Sequence, residues 1–228
     1  MAIIMQCHRN PEQVNKIIDF FNDDEFDIYI HVDKKSNIKD YIKKNNNVTI
    51  LNNSIDVRWA RYSQVEATIS LLRKVKEQEN IYKYIHFISG QDYPVKSLEY
   101  IKNKFNNSKS QYIDYFSFPN NDLVKKGYDR YEVYYPQWMI DRPNYLLKKI
   151  LRVSYREFIL FTKIFKRDLS SLPRIYGGSC WFSITGECGE YILNYIDKNP
   201  QYIKFFKNSI YADEMFFQTI ILNSKYKK

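Results

Sequence analysis

The sequence predicts an α/β protein, a sheet with helices laid against it, and three stretches carry that prediction. Residues 2–32 read as strand, helix, strand, which implies a parallel pair joined by a right-handed crossover. Residues 63–75 place Val65, Ile69, Leu72 and Val75 at helical spacing. Residues 84–96, YIHFISGQDYPVK, open as a buried strand and then break. Gly90 permits a tight turn, Asp92 brings a carboxylate, and Pro94 stops further pairing. A polar loop at the carboxyl end of a central strand is where open α/β sheets bind ligands.

The 228 residues suffice for one domain with a real core, and the chain reads as a single domain over 1–228. Aromatic residues make up 17%, with 21 tyrosines, which suits stacking on sugar rings or bases. The net charge of +9 implies an anionic partner. No Lys/Arg run is long enough for a nucleic-acid arm, so nucleic acid is not expected. Cys7, Cys180 and Cys188 are odd in number and lack framework spacing, which marks them as reduced thiols. No apolar run is long enough to span a bilayer, and the start lacks a signal h-region; the expectation is a cytoplasmic protein.

Taken in order, residues 2–7 form the first strand. Asn10 caps a helix with Pro11 at its first position, and Val14, Ile17, Ile18 and Phe21 make its buried stripe. A strand over 26–32 ends on Asp33, so Cys7, His8 and Asp33 share one sheet edge. A weaker helix covers 38–44 and a third strand 48–51. Residues 57–62, VRWARY, are a loop or short strand, and Ser63 with Glu66 forms a capping box for the next helix. Ser97 caps a helix through 104, and a strand over 112–116 carries Asp114. Residues 117–142 fit no period and suit a lid or acceptor loop. Residues 144–168 form a basic amphipathic helix that either packs on the core with a solvated basic face or lies on an anionic membrane surface. Residues 177–185, GGSCWFSIT, are a glycine turn entering an aromatic strand, followed by a helix to about 196. Asp213 caps the last helix, with Glu214 in its first turn.

Three loops offer a carboxylate: Asp33, Asp92 and the Asp213–Glu214 pair. Glu214 is the best general base, since a helix start gives it rigid backbone support; plain capping is the competing reading. His8, His31 and His86 lie on or beside separate strands without ligand spacing, so no metal is expected, and His31 and His86 read as satisfied polar groups. Nor is there a strand-ending DxD pair, P-loop, GxGxxG or GxSxG. Cys7 and His8 cannot act as a nucleophile pair, because neighbours on a strand face opposite ways.

Six stretches in order, CHRNPEQVNKIIDFF, IYIHVDKK, VRWARYSQVEATISLL, YIHFISGQDYPVK, GGSCWFSIT and ADEMFFQTIILNS, resemble the core-2/I-branching N-acetylglucosaminyltransferase and peptide O-xylosyltransferase family from about residue 3 to 224. The resemblance implies a glycosyltransferase A-type, Rossmann-like mixed sheet flanked by helices. It also implies a nucleotide-sugar donor, a saccharide or glycoconjugate acceptor, and inversion at the anomeric carbon. A donor-binding half over about 1–110 and an acceptor-binding, catalytic half over about 111–228 follow from it. By that resemblance Glu214 deprotonates the acceptor hydroxyl. Asp33 binds the donor nucleoside, Met5 meets the uracil, Trp59 takes an aromatic donor position, and His8 and Asp92 border the donor. Ser179 and Trp181 border the acceptor, and Asp114 aligns loosely with an acceptor-binding acid.

The family's enzymes resemble metal-independent transferases in which Arg and Lys neutralise the leaving diphosphate, so no cofactor is expected. Those basic residues follow the region matching ADEMFFQT, and this chain stops at Lys228. Arg58, Arg61, Lys96 and Arg174 are the candidates to replace them. Cys180 stands where xylosyltransferases carry an acid, which favours N-acetylglucosamine over xylose. Two other classes compete: a sugar- or nucleotide-binding module without turnover, and a basic surface-binding protein whose affinity would fall steeply with salt. A role in surface polysaccharide assembly, peripheral to the inner membrane through 144–168, fits the leading reading.

Overall fold

The computed structural model describes residues 1–78, 81–136, 146–162 and 166–227, with the backbone alone for 146–149. Its strands are β1 (Ala2–Cys7), β2 (Asp27–Val32), β3 (Val48–Ile50), β4 (Tyr84–Ser89), β5 (Tyr112–Ile113), β6 (Phe116–Ser117), β7 (Tyr176–Gly177) and β8 (Phe182–Thr185). Six of them form one mixed sheet in the order β3-β2-β1-β4-β8-β5, and β6 pairs with β7 apart from it. The first four are mutually parallel, β8 runs against β4, and β5 runs against β8. Strand order reverses direction at β1, the switch point where open sheets leave a crevice.

The register explains which residues meet. Phe87 lies opposite Phe182, and Ile113 lies opposite Phe182 on its other side. The end of β4, the start of β8 and the end of β5 therefore share the edge already occupied by Cys7 and Val32. His8, Asp33, Gly90, Asp114 and Trp181 follow or precede those strand ends on one side of the sheet. Gly90 serves close packing: a Cβ there would lie 2.6 Å from Cys7 Cβ and 2.9 Å from Val14 Cγ2. The tight turn expected of it is not a left-handed one.

The described helices are α1 (Pro11–Phe20), α2 (Tyr62–Lys76), α3 (Leu98–Asn106), α4 (Tyr128–Tyr131), α5 (Leu146–Thr162), α6 (Gly186–Lys198), α7 (Pro200–Lys207) and α8 (Phe216–Leu222). Alternation along β1 assigns the two sheet faces. Ile3, Met5 and Cys7 pack under α1 with Val14, Ile17 and Ile18. Ala2 and Ile4 face the larger core, where α2, α6 and α8 bring Val65, Leu72, Ile192, Phe217 and Ile220. Asn10 caps α1 through Gln13 N–H and Ser97 caps α3 through Tyr100 N–H, as their sequences predict.

Several local expectations are corrected. The helix over 38–44 is a single 3-10 turn, Lys39–Tyr41; Ile38 and Ile42 are buried, and Lys43 N–H donates to the Asn15 side chain, from the helix over 11–20, instead of continuing a helix of its own. The capping box at Ser63 does not form. The helix starts at Tyr62, and the Ser63 hydroxyl accepts from Arg58 N–H instead. The strand over 112–116 breaks at Asp114 into β5 and β6. Asp213 caps nothing: it sits in a 3-10 turn, Ala212–Glu214, and α8 begins after Met215 without a side-chain cap.

The helix over 144–168 is described as Leu146–Thr162, and Lys166 pairs instead with Val133 in a β-bridge. Its orientation is the reverse of a core-packed helix with a basic outer face. Ile150, Leu151, Phe158 and Phe161 are exposed, while Ile159 is buried beside Val133 and Tyr135. Arg152 and Arg156 point the other way, into a pocket. Residues 144, 145, 163–165 and 137–142 of the expected helix and irregular stretch lie outside the described residues.

Candidate active site

A cleft of about 820 Å³ opens at the shared sheet edge, lined by His8, His31, Asp33, Lys35, Arg58, Trp59, Gln64 and Trp181 among others. That volume lies inside the range of ~300–1,000 Å³ usual for ligand pockets. Asp33 is buried, and its Oδ1 accepts from Lys35 N–H at 2.8 Å. Lys35 Nζ donates to Asp33 Oδ2 at 3.1 Å and to the Val57 carbonyl at 2.7 Å, and it pairs with Asp56. Arg58 in turn pairs with Asp56 at 3.0 Å. Hydrogen bonds from Lys35 and Arg58 hold the Asp56 carboxyl below the usual carboxylate range. This network ties the 57–62 loop across the cleft and places two cations on its wall.

His31 was read as satisfied and is only half so. Its Nε2 accepts from Ile55 N–H at 2.9 Å, which leaves the proton on Nδ1, and Nδ1 has no partner. Burial lowers its pKa against the pull of Asp33, which favours the neutral ring. His86 likewise bonds Ser183 through Nδ1 and leaves Nε2 unpartnered.

A second cluster lies at the β5 and β8 end. Asp114 Oδ2 accepts from Ser179 N–H at 3.0 Å, and Gln218 Nε2 donates to the Ser179 carbonyl at 2.6 Å. Gly178 N–H donates to the Glu214 carbonyl at 2.9 Å. A Cβ on Gly178 would lie 2.0 Å from the Asp114 carbonyl oxygen, so glycine is what lets these loops close up. The Glu214 carboxylate is paired with Arg130 at 2.5 Å, and the Arg130 guanidinium lies 4.6 Å over the Tyr211 ring. Asp213 beside it is buried with Oδ1 unpartnered; burial and the neighbouring Glu214 push its carboxyl up to about 6. Burial also raises the Cys180 thiol to about 12, with Asp213 and Glu214 adding to the effect, so it is no nucleophile.

The predicted residues thus separate. His8, Asp33, Trp59 and Trp181 line the cleft; Asp114, Ser179 and Glu214 are joined by the chain of hydrogen bonds just described. Two stand apart from these groups, Met5 by its side chain and Asp92 by its exposure, although the Asp92 charge still reaches the Cys180 thiol. Met5 has its side chain in the core under α1, because the pleat turns Gln6 rather than Met5 toward the α2 face. Asp92 is exposed and closes its own turn, with Oδ2 accepting from Ser89 N–H at 2.7 Å. Of the four candidate cations, Arg58 lines the cleft and Arg61 a neighbouring pocket, while Lys96 and Arg174 lie over the rings of Tyr100 and Tyr176. Sequence reading missed Lys35 and Arg130. Lys35 was within reach, two residues after Asp33; nothing in the irregular 117–142 stretch marks Arg130. Among the described residues no cluster of three His, Cys, Asp or Glu could hold a metal ion, and no helix is long and apolar enough to cross a membrane.

An edge cleft at the switch point of an open sheet, with a buried carboxylate in its wall, is where such folds bind ligands. The core-2/I-branching enzyme family matches residues 3–228, and the chain belongs to that family. It is a family of glycosyltransferases, so the chain is one, with a nucleotide-sugar donor and a saccharide acceptor implied as substrates. No curated protein matches the chain. Among solved structures it is similar to the 4-diphosphocytidyl-2C-methyl-D-erythritol synthase of Anaerococcus prevotii, at 14% identity over 99% of this chain and 97% of that one, with a TM-score of 0.38.

Proposed function

We propose that the chain is an inverting, metal-independent transferase of the glycosyltransferase A type, moving N-acetylglucosamine from a UDP-sugar to a hydroxyl of a saccharide acceptor. The donor lies in the 820 Å³ cleft, with Asp33 and the neutral His31 addressing the nucleoside and Trp59 and Trp181 flanking it. Lys35 and Arg58 supply the positive charge that the leaving diphosphate needs. Glu214 takes the acceptor proton as the hydroxyl oxygen attacks the anomeric carbon and the donor's C–O bond breaks toward the diphosphate. Arg130 pairs with the carboxylate and holds it in place for that step.

The observation that carries the reading is the backbone link from Glu214 to the loop of Ser179 and Trp181, which sets the base beside the wall of the donor cleft. In this reading a donor half over about 1–110 supplies Asp33, Lys35, Arg58 and Trp59, and an acceptor half over about 111–228 supplies Trp181 and Glu214. Peripheral membrane contact fits the outward apolar face of α5 on a chain of net charge +9, with an anionic bilayer as the occupant.

The test is transfer from UDP-N-acetylglucosamine in EDTA. Glu214→Gln should lower kcat by about 10²–10⁴, the usual worth of a general base, while UDP affinity and melting temperature hold. Activity that survives this substitution would remove Glu214 from the mechanism. Activity that needs an added divalent ion would remove the metal-independent reading.

A further inference from the structure

Behind Trp59 lies a second pocket of about 310 Å³, and nothing in the proposed donor chemistry uses it. Trp59 stands in the wall of both cavities. The inner face of α5 closes the smaller one with Arg152 and Arg156, and Arg61 reaches it from the 57–62 loop. Among the described lining residues are Arg61, Arg152 and Arg156 with the carboxylate Asp129, and Arg61 is itself engaged by a partner of its own. Arg156 lies 3.7 Å from Asp129 and also pairs with Glu157 at 2.8 Å. No carboxylate among the described residues pairs with Arg152.

An independent observation points to a ligand. Tyr135 lines the pocket, is 1% exposed, and its hydroxyl has no hydrogen-bond partner. A buried hydroxyl left unpaired costs about 1–3 kcal/mol, so it is kept where something else satisfies it. Burial pushes the Tyr135 phenol up, which keeps the O–H as a donor. Donor and cations together match an oxyanion.

The aromatic floor connects this pocket to the base. Tyr211 lines the pocket, meets Trp59 edge-on at 5.6 Å between ring centroids, and carries on its ring the Arg130 that holds Glu214. A sugar whose charged group sits among the arginines would lie against Trp59 and Tyr211, within two side chains of Glu214. The volume is at the small end of ligand pockets, about 300 Å³, and suits one charged group with part of a ring rather than a second nucleotide sugar.

We propose that this pocket is an anion subsite that takes a carboxylate or phosphate carried by a sugar substrate, so that the acceptor is an acidic saccharide. The proposal rests on the glycosyltransferase reading for the word acceptor. The same oxyanion chemistry could come from the donor diphosphate, and the position on the far side of Trp59 from Asp33 favours the acceptor.

Calorimetric titration of the full chain separates the cases. The probes are an oligogalacturonide, a neutral oligogalactoside of equal length, a hexose 6-phosphate and UDP. The variants are Arg152→Gln and Tyr135→Phe; the second removes only an unpaired hydroxyl and should fold. The expected result is that at least one acidic probe binds at least about ten-fold tighter than the neutral one, the worth of a charge-assisted contact. Arg152→Gln should erase that margin, Tyr135→Phe should narrow it, and UDP affinity should be unchanged in both. An equal loss for UDP would assign the oxyanion to the donor and overturn the acidic acceptor. Acidic probes that bind no better than the neutral one, or a margin intact in Arg152→Gln, would overturn the subsite altogether. Asp33→Asn serves as the control: loss of UDP binding there tests the donor cleft alone, so failure of the donor reading and failure of the subsite give different patterns.

Discussion

Helices α2 and α5 carry the same kind of apolar stripe and aim it in opposite directions. In α2, Val65, Ile69, Leu72 and Val75 are 0–8% exposed against the sheet. In α5, Ile150, Leu151, Phe158 and Phe161 are 49–89% exposed, and two arginines turn inward. Both helices share the 3.6-residue period that sequence reading detects. The period says which side chains share a face. What that face meets depends on the rest of the chain. Beneath α2 lies a dry sheet of Ile4, Tyr29 and Ile85; beneath α5 lie Asp129, Tyr135 and a cavity. One helix is held by apolar burial and the other presents its polar side to a pocket.

The largest effect should separate the two directly. Leu72→Ala removes a 1% exposed side chain and should cost about 2–5 kcal/mol, read as a drop in urea midpoint. Leu151→Ala, at 49% exposure, should change stability by less than about 0.5 kcal/mol. Equal losses would mean that α5 also lies on a core, and the contrast would collapse. A smaller effect tests what the outward face is for. Phe158→Ser combined with Phe161→Ser should leave the urea midpoint close to wild type and reduce co-sedimentation with phosphatidylglycerol vesicles about ten-fold or more. Wild-type chain that stays in the supernatant with those vesicles would end the membrane reading.

The smallest effect concerns the polar underside of α5. Burial raises the Asp129 pKa, with Arg156 and Arg130 opposing. A folded pKa above the unfolded one gives stability that is full below the unfolded value, about 3.9, and is lost as pH rises through the folded value. Asp129→Asn removes that titration. The melting temperatures of variant and wild type should therefore diverge in the variant's favour as pH rises from about 4 toward 7. A gap that narrows over that window would reverse the assignment.

The same contrast explains what was legible. The first 110 residues read well because strand ends, caps and apolar stripes there are local signals. Asn10 and Ser97 bond their own first turns, and the βαβ opening by itself brings His8 and Asp33 to one edge. Trp59 and Trp181 came from the family resemblance, and the sheet register accounts for Trp181 at the cleft. The failures are contacts that a local pattern does not encode, some near in sequence and some far. Ser63 has the spacing of a capping box, but Arg58 N–H competes for its hydroxyl. Met5 turns its side chain into the core by strand alternation, and only the position of α1 decides which way that is. Arg130 meets Glu214 across 84 residues from a four-residue helix, and no periodicity announces such a partner.

Trp59 gives the molecule an optical gauge of its own occupancy. Its indole is 68% exposed and stands in the wall shared by the two cavities. An indole in water emits at longer wavelength than one covered by a ligand, so a molecule entering from either side shifts the same fluorophore toward the blue. Replacing both Trp181, which borders the large cleft, and Trp138, the third tryptophan of the chain, by Phe would leave the shared wall to report. Donor and acceptor would then register one after the other on a single side chain, and the order of their arrival could be timed without labelling either sugar.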